Sequence, residues 1–281
     1  MTSVAAALAA ARVKLPASEA RLLLGHVLGR PAAWLISHDD EVLDEDALLS
    51  FASLVARRAG GEPVAYLVGY REFFGREFAV SPFVLIPRPE TELLVDIALK
   101  AKVMRSGIHA DGAGETAKIL DLGTGSGCIA VTLALEFPQA RVTAVDASAE
   151  ALTAARKNAE RLGASLRFLQ SDWFDQLVGE RFDLIVANPP YIAAADPHLA
   201  AGDLRHEPEP ALASGADGLD AIRRIIAAAP AHMAPGGQLW LEHGYDQAAA
   251  VRELLAAAGL SDIEQHRDLA GIVRVSGGRL K

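Results

Sequence analysis

Apolar positions near the start of the chain recur with the period of an α-helix. Leu23 and Val27 lie four positions apart in one such segment, and a second segment begins after Asp44. The second segment carries Phe51 and Val55 on one side, and such an apolar stripe is typical of a helix that packs onto a core. We therefore predict a small helical domain at the start of the chain.

The pattern then changes to short β-type runs. Residues 72–80 hold two such runs around Gly75, which predicts a hairpin, and a helix is expected to begin near Pro89. Residues 105–117 lack any periodicity and are expected to form a mobile loop. The predicted organisation is a helical domain over 1–71, a β-hairpin linker over 72–88 and a second, larger domain over 89–281.

From Lys118 onward, apolar runs typical of buried strands alternate with helical segments. Such alternation predicts an α/β fold with a doubly wound, mainly parallel sheet, and ligands bind such sheets at the carboxyl ends of the strands. We predict strands over 118–120, 141–145, 165–169, 182–187 and 237–242, with helices over 149–162 and 218–233 among the intervening segments.

A glycine-rich turn follows the first of these strands directly. It reads Asp121-Leu122-Gly123-Thr124-Gly125-Ser126-Gly127 and precedes a helix expected to begin near Cys128, which is the context of a nucleotide-binding loop. The spacing differs from the Gly-x-Gly-x-x-Gly of dinucleotide sites, so a pyrophosphate cradle is disfavoured. The structural alternative is a tight turn that only serves close packing.

Asp146 ends the second predicted strand, where a carboxylate can accept hydrogen bonds from both hydroxyls of a ribose. Together with the segment Gly123 to Gly127, it indicates a cofactor of the adenosine type. The alternative is that Asp146 caps the following helix.

The fourth predicted strand ends in Asn188-Pro189-Pro190-Tyr191. Neither proline donates a backbone N–H and each fixes φ, so this corner presents carbonyl oxygens and the Asn188 amide. Such a corner suits the binding of an amino group, although Asn-Pro is also a common turn signal.

The glycine turn, Asp146 and the Asn188 corner together resemble the class I S-adenosylmethionine-dependent methyltransferases that act on planar amino groups. That resemblance implies S-adenosylmethionine as cofactor and places Asp172-Trp173 beside its adenine ring, with Trp173 offering an apolar surface. Trp173 as a core residue is the alternative reading. The corner alone leaves open whether the amino group belongs to an adenine or to an amide.

Composition narrows the choice between nucleic acid and protein. A formal charge of −9, from 27 basic and 36 acidic residues, lacks the basic excess that a nucleic-acid backbone requires. The single cysteine, Cys128, indicates a reducing compartment, and the eight histidines show no metal-ligand spacing. Arg12 and Lys14 come too late for a secretory signal, and no apolar run is long enough for a bilayer. We expect a cytoplasmic enzyme without a metal, a membrane or a direct nucleic-acid partner.

Flanking blocks narrow the resemblance to one family, the glutamine N5-methyltransferases that modify peptide chain release factors. These blocks are 62–69, 72–75, 84–92, 203–208 with Ala211-Leu212, and 241–247. The resemblance implies methyl transfer from S-adenosylmethionine to the glutamine side chain in the Gly-Gly-Gln loop of release factors. An adenine-N6 methyltransferase acting on DNA or RNA is the alternative.

The resemblance also implies roles for the corner. Asn188 Oδ1 and the Pro189 carbonyl would accept the two amide hydrogens of the substrate, and Tyr191 would pack against the flat amide. Asn188, Pro189 and Tyr191 are the expected catalytic residues, Pro190 joins them in binding substrate, and Asn188 also contacts the cofactor. The chain's own Gly236-Gly237-Gln238 is read as a turn into a strand.

Overall fold

The computed structural model describes residues 1–101 and 116–281, and these divide into two compact units. The first unit comprises Met1–Tyr70 with Ala201–His206, and the second comprises Arg71–Ala200 with Glu207–Lys281. The mobile loop predicted over 105–117 lies almost entirely outside the described residues. Within the described part of the chain, none of the helices has the length and apolarity that a membrane crossing would need.

The first unit is helical, as predicted. Its core includes Leu23 and Leu24, which are fully buried, and the Asp44 side chain caps a helix by accepting from Ala47 N at 2.7 Å. The helices are α1 (Val4–Ala11), α2 (Ala17–Leu28), α3 (Ala32–Ser37), α4 (Glu45–Ala59) and α5 (Val64–Val68).

An arginine near the end of α4 holds the segment Ala201–His206 in this unit. Arg58 Nη1 donates to Asp203 Oδ1 at 2.7 Å, and Arg58 Nε donates to Glu19 Oε2 at 2.7 Å. The hydrogen bond to Glu19 is the largest cause of a raised pKa of Arg58, and the bond to Asp203 adds to it. Two carboxylates therefore share one cation that is largely withdrawn from solvent.

The second unit begins with the predicted hairpin and continues into an α/β domain. Strands β1 (Tyr70–Phe73) and β2 (Arg76–Ala79) form a two-stranded sheet of their own. A 3₁₀ turn over Pro89–Thr91 leads into α6 (Glu92–Lys100). The other helices are α7 (Cys128–Glu136), α8 (Ala149–Leu162), α9 (Asp220–His232) and α10 (Ala248–Ala257).

A seven-stranded sheet in the order β5-β4-β3-β6-β7-β9-β8 carries this domain. Strands β3 to β7 run parallel, and β9 is antiparallel to both of its neighbours. The doubly wound, mainly parallel sheet is confirmed. Its strands are β3 (Lys118–Leu122), β4 (Arg141–Asp146), β5 (Arg167–Gln170), β6 (Phe182–Ala187), β7 (Met233–Glu242), β8 (Ser261–Arg267) and β9 (Val273–Arg279).

Strand β9, like β8, is not among the strands predicted from the sequence. It contains Gly277, where an added Cβ would lie 2.2 Å from Trp240 Cε3. A glycine in a strand marks a place where another group approaches the backbone closely, and here that group is the indole of Trp240. The predicted turn at Gly236 lies inside β7, with φ of 76°, so the backbone still bends at that point.

Asn158 ties the hairpin to the glycine turn. Its Oδ1 accepts from Ala79 N at 2.8 Å, and its Nδ2 donates to Ala79 O at 3.0 Å and to Ser126 O at 2.9 Å. The side chain is fully buried. If it were removed, the backbone groups that it pairs with would have no water to take its place.

We expect Asn158→Ala to lower the free energy of unfolding by about 2 to 4 kcal/mol, because buried backbone groups are left unpaired. Lys157→Ala, at the exposed neighbouring position of α8, is the matched control and should change it by less than about 0.5 kcal/mol. Urea denaturation of both variants measures the difference. Equal stability of the two variants would show that Asn158 does not hold the hairpin.

Candidate functional site

A cavity of about 300 Å³ opens at the carboxyl ends of β3, β4, β5 and β6. This is the edge at which open α/β sheets bind ligands. Its walls are mostly apolar, with a few polar groups that converge on the space, as in small-molecule sites. The lining residues are Phe83, Val84, Leu85, Gly123, Gly125, Asp146, Ala147, Ser148, Ala151, Ser171, Asp172, Trp173, Asn188, Pro190, Pro208, Pro210 and Ala211.

The glycine turn joins β3 to α7 and forms the floor of this cavity. The amides of Gly123 and Thr124 both donate to Val145 O at 2.9 Å, which fixes the turn against β4. At Gly127, where φ is 83°, an added Cβ would lie 3.0 Å from Ala155 Cβ, so both the backbone and the neighbouring helix require glycine. Gly123 and Gly125 face the cavity, whereas Thr124 and Ser126 are buried beneath it.

Asp146 lies on the cavity wall and is held from two sides. Its Oδ2 accepts from Gly125 N and its Oδ1 accepts from Ser148 N, each at 2.9 Å. Burial raises the pKa of this carboxyl, against hydrogen bonds that lower it. The helix cap is Ser148, whose Oγ accepts from Ala151 N at 3.1 Å, so the alternative that Asp146 caps α8 is wrong.

Trp173 lies both on the cavity and against the core. Its ring lies 3.4 Å from where a Cβ on Gly123 would stand, and it lines the cavity while packing against the core of the same domain. The residue has φ of 50°, a left-handed conformation that is uncommon outside glycine. Its neighbour Asp172 is exposed and pairs with Arg224 at 2.9 Å.

The corner after β6 places only part of itself on the cavity. Asn188 and Pro190 line the space, and Asn188 Nδ2 donates to Thr91 Oγ1 at 3.1 Å. Pro189 is buried. Tyr191 is turned to Glu242, with its phenol donating to Glu242 Oε1 at 3.2 Å, and it is not among the lining residues.

Residues distant in sequence hold this corner. The resemblance includes Gln247 in the 241–247 block, but no sequence pattern assigns a role to Gln247 or to Gly218. Gln247 Nε2 donates to Tyr191 O at 2.9 Å, while Gln247 Oε1 accepts from Gly244 N at 2.8 Å. At Gly218 an added Cβ would lie 2.3 Å from Tyr191 O. The backbone at Tyr191 therefore has room to sit where it does only because residue 218 is glycine.

A buried glutamate supports the rim of the cavity. Glu207 pairs with Arg88 and its Oε2 accepts from Ile86 N at 3.0 Å, so it links the 83–88 segment to the Pro208 turn. Phe83, 62% exposed, also lies on this rim. The family resemblance includes Glu207 in the 203–208 block. Its partners lie more than a hundred positions earlier in the chain, so no local pattern predicts these contacts.

Asp121, at the start of the glycine turn, is a buried carboxyl whose charge depends on pH. Its Oδ2 accepts from Thr124 Oγ1 at 2.7 Å, and its Oδ1 has no partner among the described residues. Desolvation by burial raises its pKa from 3.8 to about 7. Because the folded-state pKa lies above the unfolded one, the carboxyl stabilises the fold at low pH, and this contribution is lost as the pH rises through about 7.

Asp121→Asn removes this titration while keeping the side-chain shape. We expect the free energy of unfolding of the wild type, minus that of the variant, to decrease between about pH 5 and pH 8, by at most about 1.4 kcal/mol per pH unit. Urea denaturation without cofactor at both pH values measures it. A difference that stays constant would mean that Asp121 keeps one charge state throughout.

No group of three or more His, Cys, Asp or Glu side chains suited to a metal ion occurs in residues 1–101 and 116–281.

Together, the parallel sheet, the glycine turn after β3 and the carboxylate at the end of β4 define the chain as a methyltransferase of the Rossmann-like class. The family description "Methyltransferase small domain" matches residues 98–205, and "PrmC N-terminal domain" matches residues 1–69.

Curated relatives then give the family. The chain is 57% identical over 273 residues to the release factor glutamine methyltransferase of Burkholderia pseudomallei, covering 95% of this chain and 93% of that one. It is 53% identical to the protein of the same name from Bordetella pertussis, covering 95% and 96%. The chain belongs to the release factor glutamine methyltransferase family.

A solved methyltransferase from Pyrococcus furiosus shares the fold. It superposes with a TM-score of 0.52 at 19% identity, covering 81% of this chain and 98% of that chain.

Proposed function

We propose that this enzyme transfers a methyl group from S-adenosylmethionine to the side-chain amide nitrogen (N5) of the glutamine in the Gly-Gly-Gln loop of peptide chain release factors. The observation that carries the proposal is the placement of Asn188 on the cavity wall with Nδ2 engaged by Thr91. Because Nδ2 is engaged, Oδ1 is the end of the amide that is left to accept a hydrogen bond. The names of the relatives at 57% and 53% identity support the same substrate.

The cavity fits S-adenosylmethionine. Its volume of about 300 Å³ lies at the lower end of the range for small-molecule sites. Asp146 would hold the ribose, Trp173 would cover the adenine, and Gly123 and Gly125 would let the backbone approach the ligand. Thr124, Ser126 and Gly127 would support that turn from beneath. When bound, the cofactor supplies an electrophilic methyl group on a sulfonium.

The corner residues then prepare the nucleophile. An amide nitrogen is a weak nucleophile because its lone pair is delocalised into the carbonyl. Asn188 Oδ1 and the Pro189 carbonyl would accept its two hydrogens, which localises the lone pair toward the methyl group. Pro190 would line the substrate channel, whereas Tyr191, whose phenol donates to Glu242 and which does not line the cavity, would support the corner rather than pack on the amide face. Holding the nitrogen at attacking distance adds to the rate, since well-oriented intramolecular reactions gain about 7–11 kcal/mol.

The domain organisation follows the same proposal. Residues 1–71 would recognise the release factor, and residues 72–88 would link this domain to the next. Residues 89–281 would bind the cofactor and catalyse methyl transfer. The match of residues 1–69 to the PrmC N-terminal domain supports the first boundary. We also propose that the enzyme works in the reducing cytoplasm, as its single cysteine suggests.

An adenine-N6 methyltransferase shares the corner and is the second candidate, although the net charge of −9 opposes binding to nucleic acid. The two are separated by incubating the enzyme with labelled S-adenosylmethionine and either a purified release factor, DNA or RNA. We expect label in the release factor alone. Label in nucleic acid and none in the factor would overturn the proposal.

A further inference from the structure

Thr91 occupies a buried junction behind the Asn188 corner. Its side chain is 1% exposed, at the end of the Pro89–Thr91 turn, and its Oγ1 accepts from Asn188 Nδ2 at 3.1 Å. The same hydroxyl lies near enough to the carboxyl of Glu242 to lower the pKa of that carboxyl. Neither Thr91 nor Glu242 is among the residues that line the cavity.

Glu242 is the last residue of β7 and is 1% exposed. Its Oε1 accepts from the Tyr191 phenol at 3.2 Å, while its buried Oε2 has no hydrogen-bond partner among the described residues and is left to accept from the nearby Thr91 hydroxyl. Burial raises its pKa to about 7, while the nearby Thr91 hydroxyl, the hydrogen bond from Tyr191 and the charge of Arg274 lower it. Burying a carboxyl costs free energy of folding, and an apolar side chain could pack between the strands without that cost.

The proton of Thr91 decides which way the Asn188 amide points. A hydroxyl has one proton, and a carboxylate offers acceptors only. When Thr91 donates to Glu242, its lone pairs remain for Asn188, which must then turn Nδ2 toward Thr91. A reversed proton would turn Oδ1 toward Thr91 and leave Nδ2, a donor, facing the place where the substrate amide needs an acceptor.

We propose that Thr91 and Glu242 are positioning residues that hold the side-chain amide of Asn188 with its oxygen toward the substrate. This inference rests on the proposed function, because the orientation matters only if Asn188 accepts a hydrogen from the substrate amide. The orientation of the Asn188 amide matters in the transition state. Its loss should therefore lower kcat and leave the Kd for the cofactor unchanged.

Thr91→Val keeps the shape of the side chain and removes its hydroxyl. We expect kcat on release factor to fall about tenfold, the worth of one hydrogen bond, with KM for release factor and Kd for cofactor changed less than about twofold. Thr91→Ser, which keeps the hydroxyl, should recover kcat to within about threefold. In an Asn188→Ala background, Thr91→Val should lower kcat no further, because the two residues act as one unit.

Glu242→Met, similar in length and without an acceptor, provides a second variant and should behave as Thr91→Val does. An unchanged kcat in Thr91→Val, an equal loss in Thr91→Ser, or a further loss on top of Asn188→Ala would each overturn the inference. Wild-type enzyme assayed in parallel distinguishes failure of the positioning role from failure of the proposed function. If the wild type methylates release factor and Thr91→Val does so equally well, only the inference fails, whereas an inactive wild type refutes the proposed function itself.

Discussion

Asn188→Ala is expected to lower kcat for methyl transfer to release factor by about 10²- to 10³-fold, the usual cost of removing one preorganised group that acts in the transition state. Asn188 lines the cavity and its oxygen is the acceptor assigned to the substrate amide. Cofactor Kd should change by less than about threefold, since Asp146 and Trp173 stay in place.

Single-turnover assays with labelled cofactor, together with calorimetric titration of the cofactor, measure both quantities. His198→Ala is the matched control, because His198 lies in the same loop after β6 and its side chain is 79% exposed. It should keep wild-type kcat. Turnover of Asn188→Ala equal to that of His198→Ala would remove Asn188 from the mechanism.

Asp146→Ala is expected to weaken cofactor binding by about 10²-fold, or about 2.7 kcal/mol. The substitution removes a proposed ribose acceptor and also frees the amides of Gly125 and Ser148, whose 2.9 Å bonds to this carboxylate shape the cavity floor. Asp146→Asn keeps one acceptor oxygen and should lose less, about tenfold.

Calorimetric titration gives Kd for all three proteins, and Glu160→Ala, exposed on α8, serves as the control. At saturating cofactor, Asp146→Asn should regain most of its kcat, because the corner at Asn188 is untouched. A Kd for Asp146→Ala within about threefold of the wild type would show that the cofactor does not bind at the end of β4.

The α/β sheet could be predicted because its central strands are buried on both faces and therefore appear as apolar runs between helical segments. Strand β9 could not, because its middle is Gly277-Gly278, and the reason for glycine there is the Trp240 indole of a neighbouring strand. Its alternating run, Val273 to Ser276, is only four residues long, and the glycines that follow depend on tertiary packing.

Some residues of the candidate site could likewise be predicted from the sequence and others could not. Gly123, Asp146 and Asn188 each follow or end a strand, so their meeting at one edge of the sheet follows from topology. Thr91, Glu207 and Glu242 could not be placed in advance, because their partners lie far along the chain, and each is buried behind the residues that line the cavity. For Tyr191, no local pattern predicts that its phenol faces Glu242, because the two residues are 51 positions apart.

Mass spectrometry of a release factor after incubation with the enzyme and S-adenosylmethionine tests the proposed reaction most directly. A digest that isolates the Gly-Gly-Gln peptide should show one added methyl group, and fragmentation should locate it on the glutamine side chain. A release factor with that glutamine replaced by asparagine should remain unmodified. An unmodified Gly-Gly-Gln peptide, or a methyl group located on any other residue, would contradict the proposed reaction.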